Sequence, residues 1–425
     1  MSELQSKLQQ LMRTKGVVSG SDWRAGAEEE HKKKAAGEYE IEHVVPGEII
    51  GSEEDAFYRV RTTYPLDTLH GHCTLGDALN ANGNHIALSA NDEDLLEFDP
   101  MNASFIDTET TGLMGGTGTV TFLVGVGFFE KDQFILDQCF MRDYDDEEGM
   151  LHYLADLFKE REIIVSYNGK SFDMPLLRTR FISNRVPFRA EGNPHYDLVH
   201  AARRFWKKRL GDCSLGNIER HIMGIRREGD VPSAEIPQIW LRYLNSRDAR
   251  KLEPVFYHHK MDILSLAALT GHLSQTLDAP LGEGFIHHED RLSLIRIHYR
   301  QKKYKEVLEL GEHILDSIDK DHLRHECLEM LAFSSKRTEQ WVSMEHYWTT
   351  LIDHFPADLT ARHELAKHME HRRKDLLKAR DICQNAIEYI GVREATGALL
   401  NAEEARISLT RRVDRINKKL SKQKK

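Results

Sequence analysis

At 425 residues the chain is too long for one ordinary domain, and two or three are expected. A formal net charge of −10 excludes a protein coated in basic residues, so any polyanion has to be met locally. No apolar run approaches the roughly 20 residues that span a bilayer, and five scattered cysteines without a C-x-x-C pair fit a reducing cytoplasm better than a disulfide or zinc framework.

Residues 3–12 have the apolar spacing of a short amphipathic helix, and the N-terminus lacks the apolar core of a signal peptide. The rest of residues 1–45 is too poor in apolar residues to fold alone and reads as linker. Strand-like pieces such as FYRVRTTY and a Gly/Asn-rich turn at 80–84 make residues 46–98 an extension leaning on the next domain. ASFIDTE, VTFLVGVGFFE and QFILDQCFM then predict three strands with short connections, an antiparallel meander. DEEGMLHYLADLFKE predicts an amphipathic helix, whose opening acids (Asp143 to Glu148) suit the helix dipole rather than a metal. Strand IIVSYNG, helix DMPLLRTRFISNRV and a short strand near 194–198 follow, then helices to about 277. The sum is a mixed sheet with helices on its faces. After about residue 280 only helical pairs recur; aligning Tyr304, Trp341 and Leu377 gives offsets of 37 and 36, near the period of two-helix repeats. The last helix ends in RRVDRINKKLSKQKK, which reads as a solvated basic cap.

FIDTETTGL, Phe105–Leu113, is the stretch with the sharpest chemistry. Asp107 and Glu109 end an apolar strand, and residues two apart in a strand share a face. Two carboxylates aimed at one point repel unless a cation sits between them, and their oxygens suit Mg²⁺ or Mn²⁺. An isolated D-x-E is more often an acidic strand end, and Thr110, Thr111 and Gly112 fit any turn. In SYNGKSFDMPLL a strand ends at Tyr167, and a loop brings Asn168 and Asp173, itself a good helix N-cap, before a helix near Pro175. In YHHKMDILSLAALTGHL, Asp262 opens a helix; His258 and His259, four and three residues earlier, neighbour it, whereas Tyr257 points away. Each site is ordinary alone. The order D-x-E, N-x-x-x-F-D, H-x-x-x-D is not.

On these residues the chain resembles the DEDD-type 3′–5′ exonucleases of the ribonuclease H-like superfamily, and among them the YprB-like family, over roughly residues 95–275. Phe105–Leu113, Asn168–Pro175 and Tyr257–Asp262 correspond to the three exonuclease motifs, and the H-x-D-L at His195–Leu198 is shared with YprB-like proteins. The expected fold is α/β: a ribonuclease H-like mixed β-sheet flanked by helices over 99–279, then an all-α tetratricopeptide-like repeat domain over 280–425. The resemblance implies that Asp107, Glu109, Asp173 and Asp262 converge on two Mg²⁺ or Mn²⁺ ions. Asp107 would bridge them, Glu109 and Asp262 would hold the ion that binds the attacking water, and Asp173 the other. Two such ions about 3.5–4 Å apart activate a water and stabilise the leaving oxygen.

The third motif departs from the family. Its common forms place Tyr four residues before the Asp or His five before it; here His258 takes the nearer place and Tyr257 the farther. His258 is the expected general base, because histidine exchanges protons near neutral pH, with Tyr257 and His259 left open. Thr110, Thr111, Gly112, Leu113 and Asn168 would grip the terminal nucleotide. ARRFWKKRL (Arg203 to Arg209 within it) either tracks phosphates and stacks a base on Trp206, or is a helix with a solvated basic face and a buried Trp. The expected partners are nucleic acid, best as a single-stranded 3′ end, and a protein on the helical repeats; no membrane is expected. GLMGGTGTV lacks a following Lys and precedes a strand, so no P-loop or dinucleotide fingerprint is supported. Glu109 stands where sugar-kinase-like ATPases of the same fold need a small residue. The rival from another class is a catalytically weak or inactive nuclease-like scaffold whose repeats bind a protein.

Overall fold

A computed structural model describes residues 39–52, 55–112, 118–396 and 403–423. The helix expected at 3–12, and Leu113, lie outside the described residues. Two compact units divide what is described: one within 39–203 and 212–278, the other within 204–211 and 279–423.

In the first unit, β1 (Glu48–Ile50) and β2 (Phe57–Pro65) come first, then a separate ribbon of β3 (Leu69–His70) and β4 (Cys73–Thr74). β5 (Ala103–Thr110), β6 (Thr121–Glu130), β7 (Gln133–Phe140), β8 (Ile163–Ser166) and β9 (His195–Asp197) complete a seven-stranded sheet of order β1-β2-β7-β6-β5-β8-β9. β5, β6 and β7 are the antiparallel meander, since their short connections allow only hairpins. β8 and β9 add in parallel beside β5, each reached through a helix. β2 pairs with β7 from Tyr58 to Pro65, so the stretch expected as an extension supplies two strands of the sheet itself.

The helices of ten residues or more in this unit are α1 (Glu147–Glu160), α2 (Asp173–Ser183), α3 (Leu198–Leu210, whose residues from Arg204 group with the second unit), α4 (Ile236–Ser246) and α5 (Glu253–Asp278). Every residue of β6 except Glu130 is buried, as a central strand covered on both faces requires. On α4, Trp240 stacks on Phe122 with ring centroids 4.8 Å apart and donates Nε1–H to the Met141 carbonyl at 3.0 Å. The opening acids of α1 are structural: Asp146 accepts from Arg142, and Glu147 from Arg180 and Asn184.

The second unit holds α6 (His288–Arg300) with α7 (Tyr304–Leu315), α8 (Asp321–Arg337) with α9 (Trp341–His354), α10 (Leu359–His368) with α11 (Leu376–Ala395), and α12 (Glu403–Gln423). Each of the three pairs turns through a left-handed residue two before its second helix: Lys302, Glu339 and Lys374, all at φ 60°. That registers Tyr304 and Trp341 with Leu376, at spacings of 37 and 35 residues, rather than with Leu377. Leu376 is buried and Leu377 is 55% exposed, because a π-helical turn at Met369–Arg373 shifts the register ahead of α11. The same turn buries Glu370, which takes Arg412, Arg415 and Lys419 of α12. Burial opposes its charge, yet those hydrogen bonds hold the carboxyl down at about 2. The basic face of the last helix is therefore spent partly on a buried acid, not wholly solvated. Trp206 is fully buried, which rules out stacking a base on it, and Arg209 is bound to buried Asp290 at 2.8 Å.

Candidate active site

Along β5 the side chains alternate, and Asp107 and Glu109 are the two that reach partly exposed surface at its C-terminal end. They face Gly125 and Leu123 of β6, and the register slips between Glu109 and Thr110. There the chain turns: Thr110 Oγ1 donates to the Gly112 carbonyl at 3.0 Å, and Thr111 Oγ1 accepts from the Val120 N–H at 3.0 Å. The hydroxyls expected to meet a nucleotide thus close the turn, while Gly112 stands in open space.

α5 begins at Glu253, so His258 and Asp262 lie one full turn apart inside the helix. Ligand atoms of Glu109, His258 and Asp262 all fall within 4.8 Å of one another. His258 Nε2 is 3.3 Å from Asp262 Oδ2 and 3.9 Å from Glu109 Oε1, and its Nδ1 is 2.7 Å from Asp230 Oδ1. One residue on, the helix has rotated by about 100°, and His259 points into the protein. Gln138 Nε2 donates to its Nδ1 at 3.2 Å, so Nε2 carries the hydrogen and donates to the Asp107 carbonyl at 3.0 Å. Burial pushes this imidazole down to about 4, which keeps it neutral. Tyr257 lies elsewhere, with the Lys260 ammonium 5.3 Å over its ring.

Room for His259 comes from Gly125. A Cβ there would meet Ile263 Cδ1 at 2.0 Å and His259 Cε1 at 2.6 Å. Gly125→Ala is therefore expected to push α5 off the sheet and destabilise the protein by about 1–3 kcal/mol; the shift of the urea midpoint measures it.

Asp173 is buried at the start of α2 and does not cap it; its Oδ1 accepts from Thr108 Oγ1. The loop before it is held by Asp197 of the H-x-D-L stretch, buried on β9. Asp197 Oδ1 takes the Asn168 N–H at 2.7 Å, and its Oδ2 the Lys170 N–H at 3.0 Å. Asn168 sits at φ 68°, in the left-handed region. His195 of the same stretch lies 2.7 Å from Ser166 Oγ and is pushed down to about 3 by burial, a neutral packing group.

Asp107, Glu109 and Asp173 feel the charges around them. Burial, then the charges of Asp262, Asp173 and Glu109, raise the Asp107 carboxyl well above its ordinary range. Burial, Asp262, Asp173 and Asp230 do the same to Glu109. Asp173 is pushed to about 6, chiefly by burial, with Asp197 and Asp262 adding and Thr108 opposing. Arg227, absent from the motif reading, relieves part of this: its Nη2 is 2.5 Å from Asp262 Oδ1, it grips Glu219 with Nε at 2.8 Å, and its Nη1 reaches Asp230 at 3.4 Å. Asp230, Glu219 and Gln138 also escaped notice, because no local pattern marks a residue that acts across the fold.

Residues 104–274 match a family model described as RNase_H superfamily. The mixed sheet and its flanking helices have the ribonuclease H-like fold. Over 350 residues the chain is also 29% identical to the uncharacterized protein YprB of Bacillus subtilis (strain 168), covering 79% of this chain and 81% of that one. The aligned span exceeds the ribonuclease H-like domain, so the likeness includes sequence outside it.

Carboxylates with one imidazole suit a hard divalent ion, and the raised acids of this domain are what a bound cation relieves. Binding must then displace protons. Mn²⁺ affinity of the ribonuclease H-like domain is expected to rise with pH through about 6, where Asp173 gives up its proton, with proton release that calorimetry in two buffers of different ionisation enthalpy detects.

Proposed function

We propose that the ribonuclease H-like domain is a metal-dependent 3′–5′ exonuclease that hydrolyses phosphodiester bonds of nucleic acid. The observation that carries the reading is the meeting of Glu109, His258 and Asp262 within 4.8 Å of one another, beside Asp107 and Asp173, whose carboxyls burial and neighbouring charges raise. Glu109 sits two residues after Asp107 on the strand rather than on a helix, which favours an exonuclease over an endonuclease of the same superfamily. Glu109 and Asp262 would hold one divalent ion, Asp173 a second, and Asp107 both. Such ions supply the charge that generates a nucleophile from water near neutral pH and stabilises the leaving oxygen.

The chain's own groups do the rest. Asp230 accepts the Nδ1–H of His258, leaving the Nε2 lone pair facing the acids to take the proton of the attacking water. His259 pins the main chain of Asp107, and Arg227 fixes the rotamer of Asp262. The substrate is best a single-stranded 3′ end, and the helical pairs of the second unit, read as tetratricopeptide-like, would carry a protein partner.

One observation favours a second role for His258: its Nε2 lies close enough to Glu109 and Asp262 to be a third ligand. His258→Ala distinguishes the two. A base loses the acid limb of the pH–rate profile at unchanged Mn²⁺ affinity, whereas a ligand loses affinity.

Oligonucleotides of DNA and RNA labelled at the 5′ or the 3′ end, incubated with Mg²⁺ or Mn²⁺, test the function. Release of mononucleotides from the 3′ end is expected. No release from either polymer, with Asp107→Ala indistinguishable from wild type, would leave the non-catalytic scaffold in its place.

A further inference from the structure

A cleft of about 730 Å³ adjoins the acids; Asp107, His258 and Asp262 line it, and so do Arg220 and Arg226. Its size is that of a small-molecule site, and it opens to solvent. The carboxylates at its head, Asp107 and Asp262 among them, repel any polyanion, and a strand carrying one charge per phosphate needs fixed cations to approach.

The cleft divides its charges unequally. Arg227 takes all three acids of the neighbouring wall, pairing with Glu219, Asp230 and Asp262. Arg220 and Arg226 are left exposed and form no ion pair among the described residues, although the protein carries a net −10. Two arginines on one cleft wall without an acid partner are placed to meet an anion from outside.

Their backbone is stiff. Arg220 lies in a π-helical turn, Glu219–Met223, whose end is closed by the Ile225 N–H donating to the Glu219 carbonyl at 2.9 Å. Gly224 takes φ +71°, and a Cβ on it would lie 2.3 Å from His72 Nε2. The His72 N–H donates to the Met223 carbonyl at 2.9 Å, so the chain between β3 and β4 clamps the segment. Little order has to be gained on binding, which is the condition for a preformed site.

We infer that Arg220 and Arg226 hold the phosphates of a nucleic-acid strand upstream of the bond to be cut, making this an enzyme for oligonucleotides rather than for isolated nucleotide esters. Guanidinium forks match phosphate oxygens in pairs and read no sequence, so the grip is on the backbone. The inference rests on the nuclease reading and extends it to the substrate.

The test compares wild type with Arg220→Gln/Arg226→Gln on two substrates, a single-stranded oligonucleotide and the p-nitrophenyl ester of thymidine 5′-monophosphate, in Mn²⁺. KM for the oligonucleotide is expected to rise at least about tenfold, with kcat affected far less. The slope of log KM against log salt should flatten by about 1.4, two contacts' worth on a single strand. The loss on the oligonucleotide should exceed that on the ester at least about tenfold. Equal losses on both substrates, or an unaltered salt slope, would overturn the inference while leaving the nuclease reading intact. Should wild type cut neither substrate, the nuclease reading falls alone; anisotropy of a labelled oligonucleotide without divalent ions then decides whether the two arginines bind it, by weakened or unaltered binding in the variant.

Discussion

Asp107→Asn is expected to lower metal-dependent nucleotide release at least about 10³-fold, the scale of losing one group that stabilises developing charge, and yet to raise the melting temperature of the metal-free protein. The two effects share a cause. Burial and the charges of Asp262, Asp173 and Glu109 raise the Asp107 carboxyl well above its ordinary value. A carboxyl raised in the folded state binds its proton more tightly there than in the unfolded chain. It therefore favours folding at low pH, and that contribution is lost as pH rises through the folded-state value. At neutral pH without a cation, wild type bears the cost either of that repulsion or of holding the proton that relieves it. Asn keeps the shape, removes the charge and leaves the His259 hydrogen bond to the Asp107 carbonyl in place, since that bond is to the main chain. Added Mn²⁺ should raise the melting temperature of wild type by several degrees and that of the variant much less. Differential scanning fluorimetry with EDTA and with Mn²⁺, beside a nuclease assay, reads both halves. A variant that melts lower when metal-free and turns over normally would remove Asp107 from the site.

Asp197→Ala is expected to cost about 1–3 kcal/mol and to weaken Mn²⁺ binding, though Asp197 is none of the proposed ligands. Its buried carboxylate accepts the N–H groups of Asn168, Lys170 and Val199, at 2.7, 3.0 and 3.2 Å. Alanine removes the acceptor of all three; Val199 is the buried one, and a buried donor without an acceptor costs about 1–3 kcal/mol. The same bonds hold the left-handed turn at Asn168 and the approach to Gly169, where a Cβ would lie 3.2 Å from Asp173 Oδ2. Loss of the anchor should let Asp173 drift from the other acids. Asp197→Asn, which keeps one acceptor oxygen, should lose less of both properties. Urea denaturation and Mn²⁺ titration check this, and a stability within about 0.5 kcal/mol of wild type, the range of an ordinary surface change, would show that Asp197 anchors nothing.

Much of the architecture could be read from local pattern. Alternation in ASFIDTET places Asp107 and Glu109 on one face of β5, and the apolar run FLVGVGFF of β6 marks a strand covered on both sides. Helical spacing marks α1, α2 and the pairs α6 to α11. These readings succeed because strand and helix periods are properties of adjacent residues. Strand β2 is harder to read, since FYRVRTTY pairs with β7 about 76 residues away in the chain (Arg61 with Asp137). The register of the last helical pair depended on a π-helical turn at Met369–Arg373, which no spacing announces.

The order of acidic motifs, the helical texture of the second half and the two carboxylates on one strand face follow from the residue string alone, because each depends on neighbours within a few positions. Folding alone decided how each histidine meets the acids. His258 and His259 differ by a single step on α5, and only the packing of α5 over Gly125 directs one to Glu109 and the other to Gln138. The role of Arg227 was settled in the same way, across 35 residues to Asp262, since helix phase against a sheet and long-range ion pairs are set by how side chains fill space.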